Sequence, residues 1–199
     1  MHEAYRERWN FSLNEQYPLH SAAITGNRDL LHHLLELGYQ LVDVDDHGNT
    51  PLHCAASEGH IDIIHYILNY KKCRIVLNLI NFKGLTPLAV ACAEGQLDCA
   101  LKLLKSRCKV NHKYERSSAL HEAVASDSVD CVELLLNYRC AVNKLNEYGE
   151  TALHVALRAL RIDRMPDSLT LENSECINLL VSKGTTHRFP VSIFIGISY

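Results

Sequence analysis

Four histidines, His20, His53, His121 and His154, each stand directly after a leucine, and eight cysteines are scattered among them. Imidazole and thiolate are the common ligands of zinc, and a thiol beside a base is a nucleophile, so these residue types could do metal or covalent chemistry. Their spacing argues against both. Metal ligands must converge on one point, whereas these histidines lie 33 residues or more apart and no Cys-x-x-Cys pair occurs. Cys99, Cys131 and Cys176 share one periodic slot with Leu30 and Ile63 and read as small core hydrophobes, Cys108 shares another slot with Cys140, and all eight cysteines are expected to be reduced and structural. Cys54 stands apart, because its column holds Ser21, Val90, Glu122 and Val155 and reads as outward-facing. A reactive thiol could sit there, although no base neighbours it in sequence. With no glycine-rich phosphate loop and no nucleophile elbow, the expectation is a protein with no catalytic residue, no metal, no cofactor and no small-molecule substrate.

The histidines are placed by something larger. Tyr17-Pro18-Leu19-His20 returns as Thr50-Pro51-Leu52-His53, Thr86-Pro87-Leu88-Ala89, Ser118-Ala119-Leu120-His121 and Thr151-Ala152-Leu153-His154, and the successive leucine spacings are 33, 36, 32 and 33. A unit of that length cannot bury its own apolar face and must stack on its neighbours, so the fold is the array itself. Within each unit a turn glycine (Gly48, Gly84, Gly149) precedes a Thr or Ser that can cap free amides, followed by Pro or Ala at the first helical position. A first helix of the type Leu52 to Glu58 is expected to end at Gly59. The second helices are expected over Ile61 to Leu68, Leu97 to Leu104, Val129 to Leu136 and Cys176 to Val181. Glycine at 38 and 184 suits a left-handed C-terminal cap. Each motif imidazole is expected to bridge neighbouring turns.

Composition bounds the partners. The 199 residues are 47% hydrophobic with a formal net charge of −3, which gives no bulk attraction to phosphate backbones or acidic membranes. Nucleic acid is therefore not an expected partner. The charged N-terminus is unlike a secretory signal and no apolar run reaches bilayer-spanning length, so no membrane insertion and a location in the cytoplasm or nucleus are expected.

Gly48 to Asp62, spelling Gly-x-Thr-Pro-Leu-His-x-Ala-Ala-x-x-Gly-His-x-Asp, resembles the ankyrin repeat almost letter for letter. The resemblance covers residues 14–184 and implies an all-α ankyrin-repeat solenoid of helix-turn-helix units with β-hairpin-like fingers. Unit boundaries fall at about 14–45, 46–80, 81–113, 114–145 and 146–184, with an N-terminal segment 1–13 before them and an apolar tail 185–199 after. It further implies a curved stack whose concave side, built of finger tips and first helices, binds one or more intracellular proteins. Departures are specific. Arg107 and Arg139 stand where the family ends a helix with glycine, Arg116 replaces the turn glycine, and Asp127 replaces the inter-helix glycine. Arginine at such a cap is expected to adopt positive φ at a cost of about 1 kcal/mol. A three-residue insertion falls between Tyr70 and Leu79, and a longer one between Arg161 and Ser174, where Pro166 prevents one continuous helix.

Partner specificity is expected in the variable finger positions: Asp46, His47, Phe82, Lys83, Leu85, Tyr114, Glu115, Glu147, Tyr148 and Glu150. Aromatic tips flanked by charge are the composition of interface hot spots. Acid outnumbers base there, which favours a basic or mixed partner surface. By resemblance, Asn78, Asn111 and Asn143 lie where ankyrin asparagines accept β-hydroxylation, and the plainer reading is that they bond the turn backbone. The leading expectation is a non-catalytic scaffold or adaptor. The alternatives are a regulatory inhibitor of an enzyme or transcription factor, or a shortened ubiquitin-ligase substrate receptor lacking its box, since the tail has no Leu-x-x-Leu-Cys pattern.

Overall fold

The structure, a computed structural model, describes residues 16–70, 74–113, 115–162 and 175–183. Among the described residues ten α-helices run in five pairs: α1 (Pro18–Ile24) and α2 (Arg28–Glu36), α3 (Pro51–Glu58) and α4 (Ile61–Asn69), α5 (Pro87–Ala93) and α6 (Leu97–Lys105), α7 (Ala119–Ala125) and α8 (Val129–Asn137), α9 (Ala152–Ile162) and α10 (Glu175–Ser182). The second helices extend at most one residue beyond the ends that periodicity gives. The first helices α1, α3, α5, α7 and α9 pack on one another in chain order as one layer, and the second helices do the same as the other.

The helix starts follow from their caps. In α3 and α7 the N-cap hydroxyl and the third-residue histidine exchange bonds: the N–H of Thr50 donates to Nδ1 of His53 at 3.1 Å, and that of Ser118 to Nδ1 of His121 at 3.3 Å. Thr86 caps α5 alone, its Oγ1 accepting from the N–H of Ala89. Motif leucines Leu19, Leu52, Leu88 and Leu120 are at most 2% exposed, and each contributes about 2 kcal/mol by leaving water. The periodic cysteines Cys99, Cys131 and Cys176 are buried beside them, and the seven described cysteines are free.

Among the described residues three non-glycine residues hold positive φ: Arg107 at 64°, Asp127 at 53° and Arg139 at 56°. Both arginine caps are therefore left-handed, as their alignment with glycine requires. The insertion after Tyr70 is more than a loop, since Ile75–Asn78 forms a 3-10 helix that buries Val76 and Leu77. The second insertion lengthens α9 to eleven residues. Residues 163–174 and the apolar tail lie outside the described residues, as do Gly184 and the N-terminal segment.

Candidate protein-binding surface

Between the second helix of one unit and the first helix of the next, the chain makes a finger. Three of these are closed the same way, by an Asx residue at the base. Asp45 Oδ1 accepts the N–H groups of His47 and Asn49, Asn81 Oδ1 that of Leu85, and Asn146 Oδ1 those of Tyr148 and Glu150, at 2.8–3.0 Å. A backbone pair reinforces each turn, for example Asp45 N–H to Asn49 O and Gly48 N–H to Asp45 O, with the glycine left-handed. The fingers are thus hairpin-like, although no strand occurs among the described residues.

Histidines join one finger to the next. Nε2 of His20 donates to the carbonyl of Asn49 at 2.9 Å, that of His53 to Leu85 at 3.1 Å, and that of His121 to Glu150 at 3.0 Å. Because Nδ1 of His53 already accepts from Thr50, its Nε2 must carry the proton, and burial pulls its pKa down to about 4. Burial likewise lowers His121. These are structural bridges, and no group of three or more metal-ligating side chains occurs among the described residues.

The fourth finger departs from the others. Its sequence offers Lys113 where the others have Asp45, Asn81 and Asn146, and Arg116 in place of glycine, so it lacks both the acceptor and the left-handed residue that make the turn. Arg116 is not left-handed. Instead its N–H donates to the carbonyl of Gly84, the part played by Phe82 N–H on His47 one finger earlier, and its own carbonyl accepts from the N–H of Glu147. Its side chain lies 2.5 Å from where a Cβ on Gly84 would stand, much as the Phe82 ring lies 2.6 Å from a Cβ on Gly48.

This rearrangement corrects one expected contact. Glu115 is not at a tip: its side chain is 1% exposed and lies 2.6 Å from Nζ of Lys144. Burial raises its carboxyl pKa, and Lys144 opposes the rise. Tyr114 lies outside the described residues. Acid does not dominate the remaining tips either, because Glu147 faces Arg116 at 3.9 Å and Glu150 faces Arg158 at 3.3 Å. Cys54 is corrected as well. It is 7% exposed, and burial pushes its thiol up to about 12, so it stays protonated and inert.

Of the expected site residues, Lys83, Leu85, Glu147 and Tyr148 line a single groove of about 250 Å3 between fingers and first helices. Arg116, Glu122, Val155 and Arg158 join them, and none of these four was named as a contact from sequence. Glu122 and Val155 belong to the column of Cys54, so the first-helix side of the groove was legible in that column. Phe82 and Tyr148 are 66% and 76% exposed, while Asp46 and His47 are exposed on the preceding finger, where the hydroxyl of Tyr17 donates to Asp46 at 2.6 Å. Asn78 and Asn111 point elsewhere: each side-chain oxygen accepts a backbone N–H of the next unit at 2.7 Å, from Lys109 and Ala141. Asn143 is exposed.

Stacked helix pairs, left-handed inter-helix turns and projecting fingers coincide with what comparison of the sequence shows. The profile of ankyrin repeats (3 copies) matches residues 3–78, 19–114 and 108–189. The chain belongs to the ankyrin-repeat family. Ankyrin repeats are protein-interaction modules, generally non-catalytic. Among curated proteins, the chain is 33% identical over 144 residues to the Nuclear factor NF-kappa-B p105 subunit of Gallus gallus, which covers 71% of this chain and 15% of that protein. It is 36% identical over 104 residues to Ankyrin repeat and SOCS box protein 16 of Homo sapiens, covering 52% of this chain and 20% of that protein. The chain therefore spans at most a fifth of the length of these relatives. No helix among the described residues is long and apolar enough to cross a membrane.

Proposed function

We propose that this chain is a non-catalytic scaffold that holds a partner protein inside the cell on its finger and first-helix surface. The observation that carries the reading is the groove beside Lys83, Leu85 and Tyr148, together with the exposed ring of Phe82 on the same finger as Lys83. Exposed aromatic rings next to paired charges supply contact area at small entropic cost, and that is where interface energy concentrates. The charges around the groove are balanced by Arg116 with Glu147 and Arg158 with Glu150, so the preferred partner surface is one of mixed charge. The test compares capture of partners by the parent, by Phe82→Ala/Tyr148→Ala, and by Glu133→Ala on the exposed side of α8. Loss with the tip variant alone supports the assignment. Equal capture by tip and parent proteins, with loss in the α8 control, overturns it.

A second reading is regulatory inhibition of a transcription factor or an enzyme, favoured by likeness to the NF-kappa-B p105 subunit. Likeness to Ankyrin repeat and SOCS box protein 16 favours, as a third reading, a ubiquitin-ligase substrate receptor. A captured catalytic partner whose activity falls in the complex separates inhibitor from adaptor. Captured ligase subunits mark the receptor.

A further inference from the structure

The net charge of −3 conceals a segregation of charge along the array. From Met1 to Tyr70 there are three Lys and Arg against ten Asp and Glu, whereas from Lys71 to Arg116 there are ten against three. The structure gathers part of this excess away from the fingertips, on the loops that follow the second helices. Lys105 ends α6, Arg107 and Lys109 follow it, Arg74 lies on the loop before, and Arg139 on the loop after. Those loops are bonded in series. Asn78 accepts from the N–H of Lys109 at 2.7 Å, and Asn111 accepts from Ala141 while donating to the carbonyl of Arg139. All five cations are exposed, and none pairs with a described carboxylate. Two exposed apolar side chains punctuate the row, Ile75 at 65% and Tyr138 at 37%.

We propose that this loop edge is a second docking surface, separate from the fingers, for a short acidic segment of a partner protein. Unpaired cations interleaved with isolated apolar groups suit a peptide that alternates carboxylates with apolar side chains. Length decides against other anions. The basic row crosses three successive loops, two unit spacings or roughly 20 Å of helix packing, and the chain before Lys71 is acidic. A long polyanion or an anionic lipid surface would extend beyond the band and meet like charge, whereas a short segment would not. A row of aromatic platforms for single-stranded nucleic acid is also lacking beside the five cations, where Tyr138 is the exposed ring among the described residues.

Fluorescence anisotropy with a labelled Glu/Leu-rich peptide of about twelve residues tests this, beside a neutral Gln/Leu counterpart, a duplex oligonucleotide and phosphatidylserine vesicles. The expected result is preference for the acidic peptide, weakening as salt rises from about 50 to 300 mM, and falling at least about tenfold in Lys105→Glu/Lys109→Glu. Lys105→Gln/Lys109→Gln, which spares the end of α6 a new anion, should weaken binding in the same direction. Phe82→Ala/Tyr148→Ala should bind the acidic peptide as the parent does, which separates this surface from the proposed finger site. Equal binding of acidic and neutral peptides overturns the proposal. So does undiminished binding by the folded glutamine variant, or tighter binding of the oligonucleotide or the vesicles.

Discussion

Lys144 reaches from the approach to the fifth finger back to the fourth, placing Nζ 2.6 Å from Oε1 of Glu115 and 2.7 Å from the carbonyl oxygen of His112. The carboxylate is buried while the ammonium remains 23% exposed, so the pair is anchored on a desolvated anion. Removing the cation strands that anion. Lys144→Met should cost about 2–3 kcal/mol at neutral pH, below the range for a fully buried pair because water reaches the lysine. Burial already raises Glu115, and without Lys144 nothing would oppose the rise. A carboxyl whose folded pKa exceeds its unfolded value takes up a proton on folding, so the deficit should shrink as pH falls through the folded value toward 4.5. Urea unfolding at neutral and mildly acidic pH measures this. A deficit independent of pH would mean that Glu115 is better solvated than its position indicates.

Arg107 and Arg139 provide an internal contrast with Arg116. The first two sit at φ 64° and 56°, where a side chain costs about 1 kcal/mol relative to glycine. Arg107→Gly and Arg139→Gly should each stabilise the fold by a few tenths to about 1 kcal/mol, after the greater freedom of glycine in the unfolded chain is counted. Arg116→Gly should not stabilise, since Arg116 is not left-handed and its side chain covers Gly84. Thermal melts of the three variants decide it. Destabilisation by both cap variants would mean that the arginine side chains contribute contacts outweighing their backbone strain.

Acid should loosen the finger ladder before it titrates most carboxylates. His53 is 1% exposed and its pKa falls from 6.5 to about 4 because burial disfavours the imidazolium. A group with a depressed folded pKa contributes stability that is complete above its unfolded value and is lost as pH falls toward the folded one. The loss from His53 should therefore run from about pH 6.5 down to about 4 and reach up to about 3 kcal/mol, with His121 acting in the same direction. His53→Gln should flatten this dependence, whatever it costs at neutral pH. An unchanged slope in the glutamine variant would assign the acid sensitivity to other groups.

Why the helices were legible and the fourth finger was not has a physical reason. Motif leucines, N-cap hydroxyls and the glycine slots are local rules, each satisfied within a few residues, so helix bounds followed from spacing, and the positive φ of Arg107 and Arg139 from the glycine that the ankyrin resemblance puts at those caps. The fate of Glu115 depends on Lys144, 29 residues away. Its burial follows only when two losses are read together, glycine to Arg116 and the Asx acceptor to Lys113. Single columns mislead in the same way at Cys54, where a mixed column looked outward and the first-helix layer covers it. The groove was half legible: its finger wall is the variable tip positions, whereas Arg116 and Arg158 enter it through ion pairs that spacing does not show.

Three finger glycines offer a graded test of how closely neighbouring fingers are seated. Gly48, Gly84 and Gly149 have φ of 74°, 76° and 74°, so alanine at each carries the same left-handed cost of about 1 kcal/mol. They differ in what a Cβ would meet. At Gly149 there is nothing within 4 Å among the described residues, at Gly84 the Cγ of Arg116 lies 2.5 Å away, and at Gly48 the Phe82 ring and its backbone nitrogen lie at 2.6 and 2.7 Å. The Cγ of Arg116 can rotate away, but its Cβ, 2.9 Å off, is fixed to the backbone and must shift with it. The Phe82 backbone cannot move without breaking its N–H bond to the carbonyl of His47 at 3.0 Å. Gly149→Ala should therefore cost about 1 kcal/mol, Gly84→Ala about 1–2 kcal/mol, and Gly48→Ala about 2–3 kcal/mol as steric strain and the displaced hydrogen bond are added. Equilibrium unfolding of the three variants gives the order. Equal costs at Gly48 and Gly149 would show that the seating of Phe82 on the preceding finger contributes nothing to the stack, and the ring would then be held in place by the third finger alone.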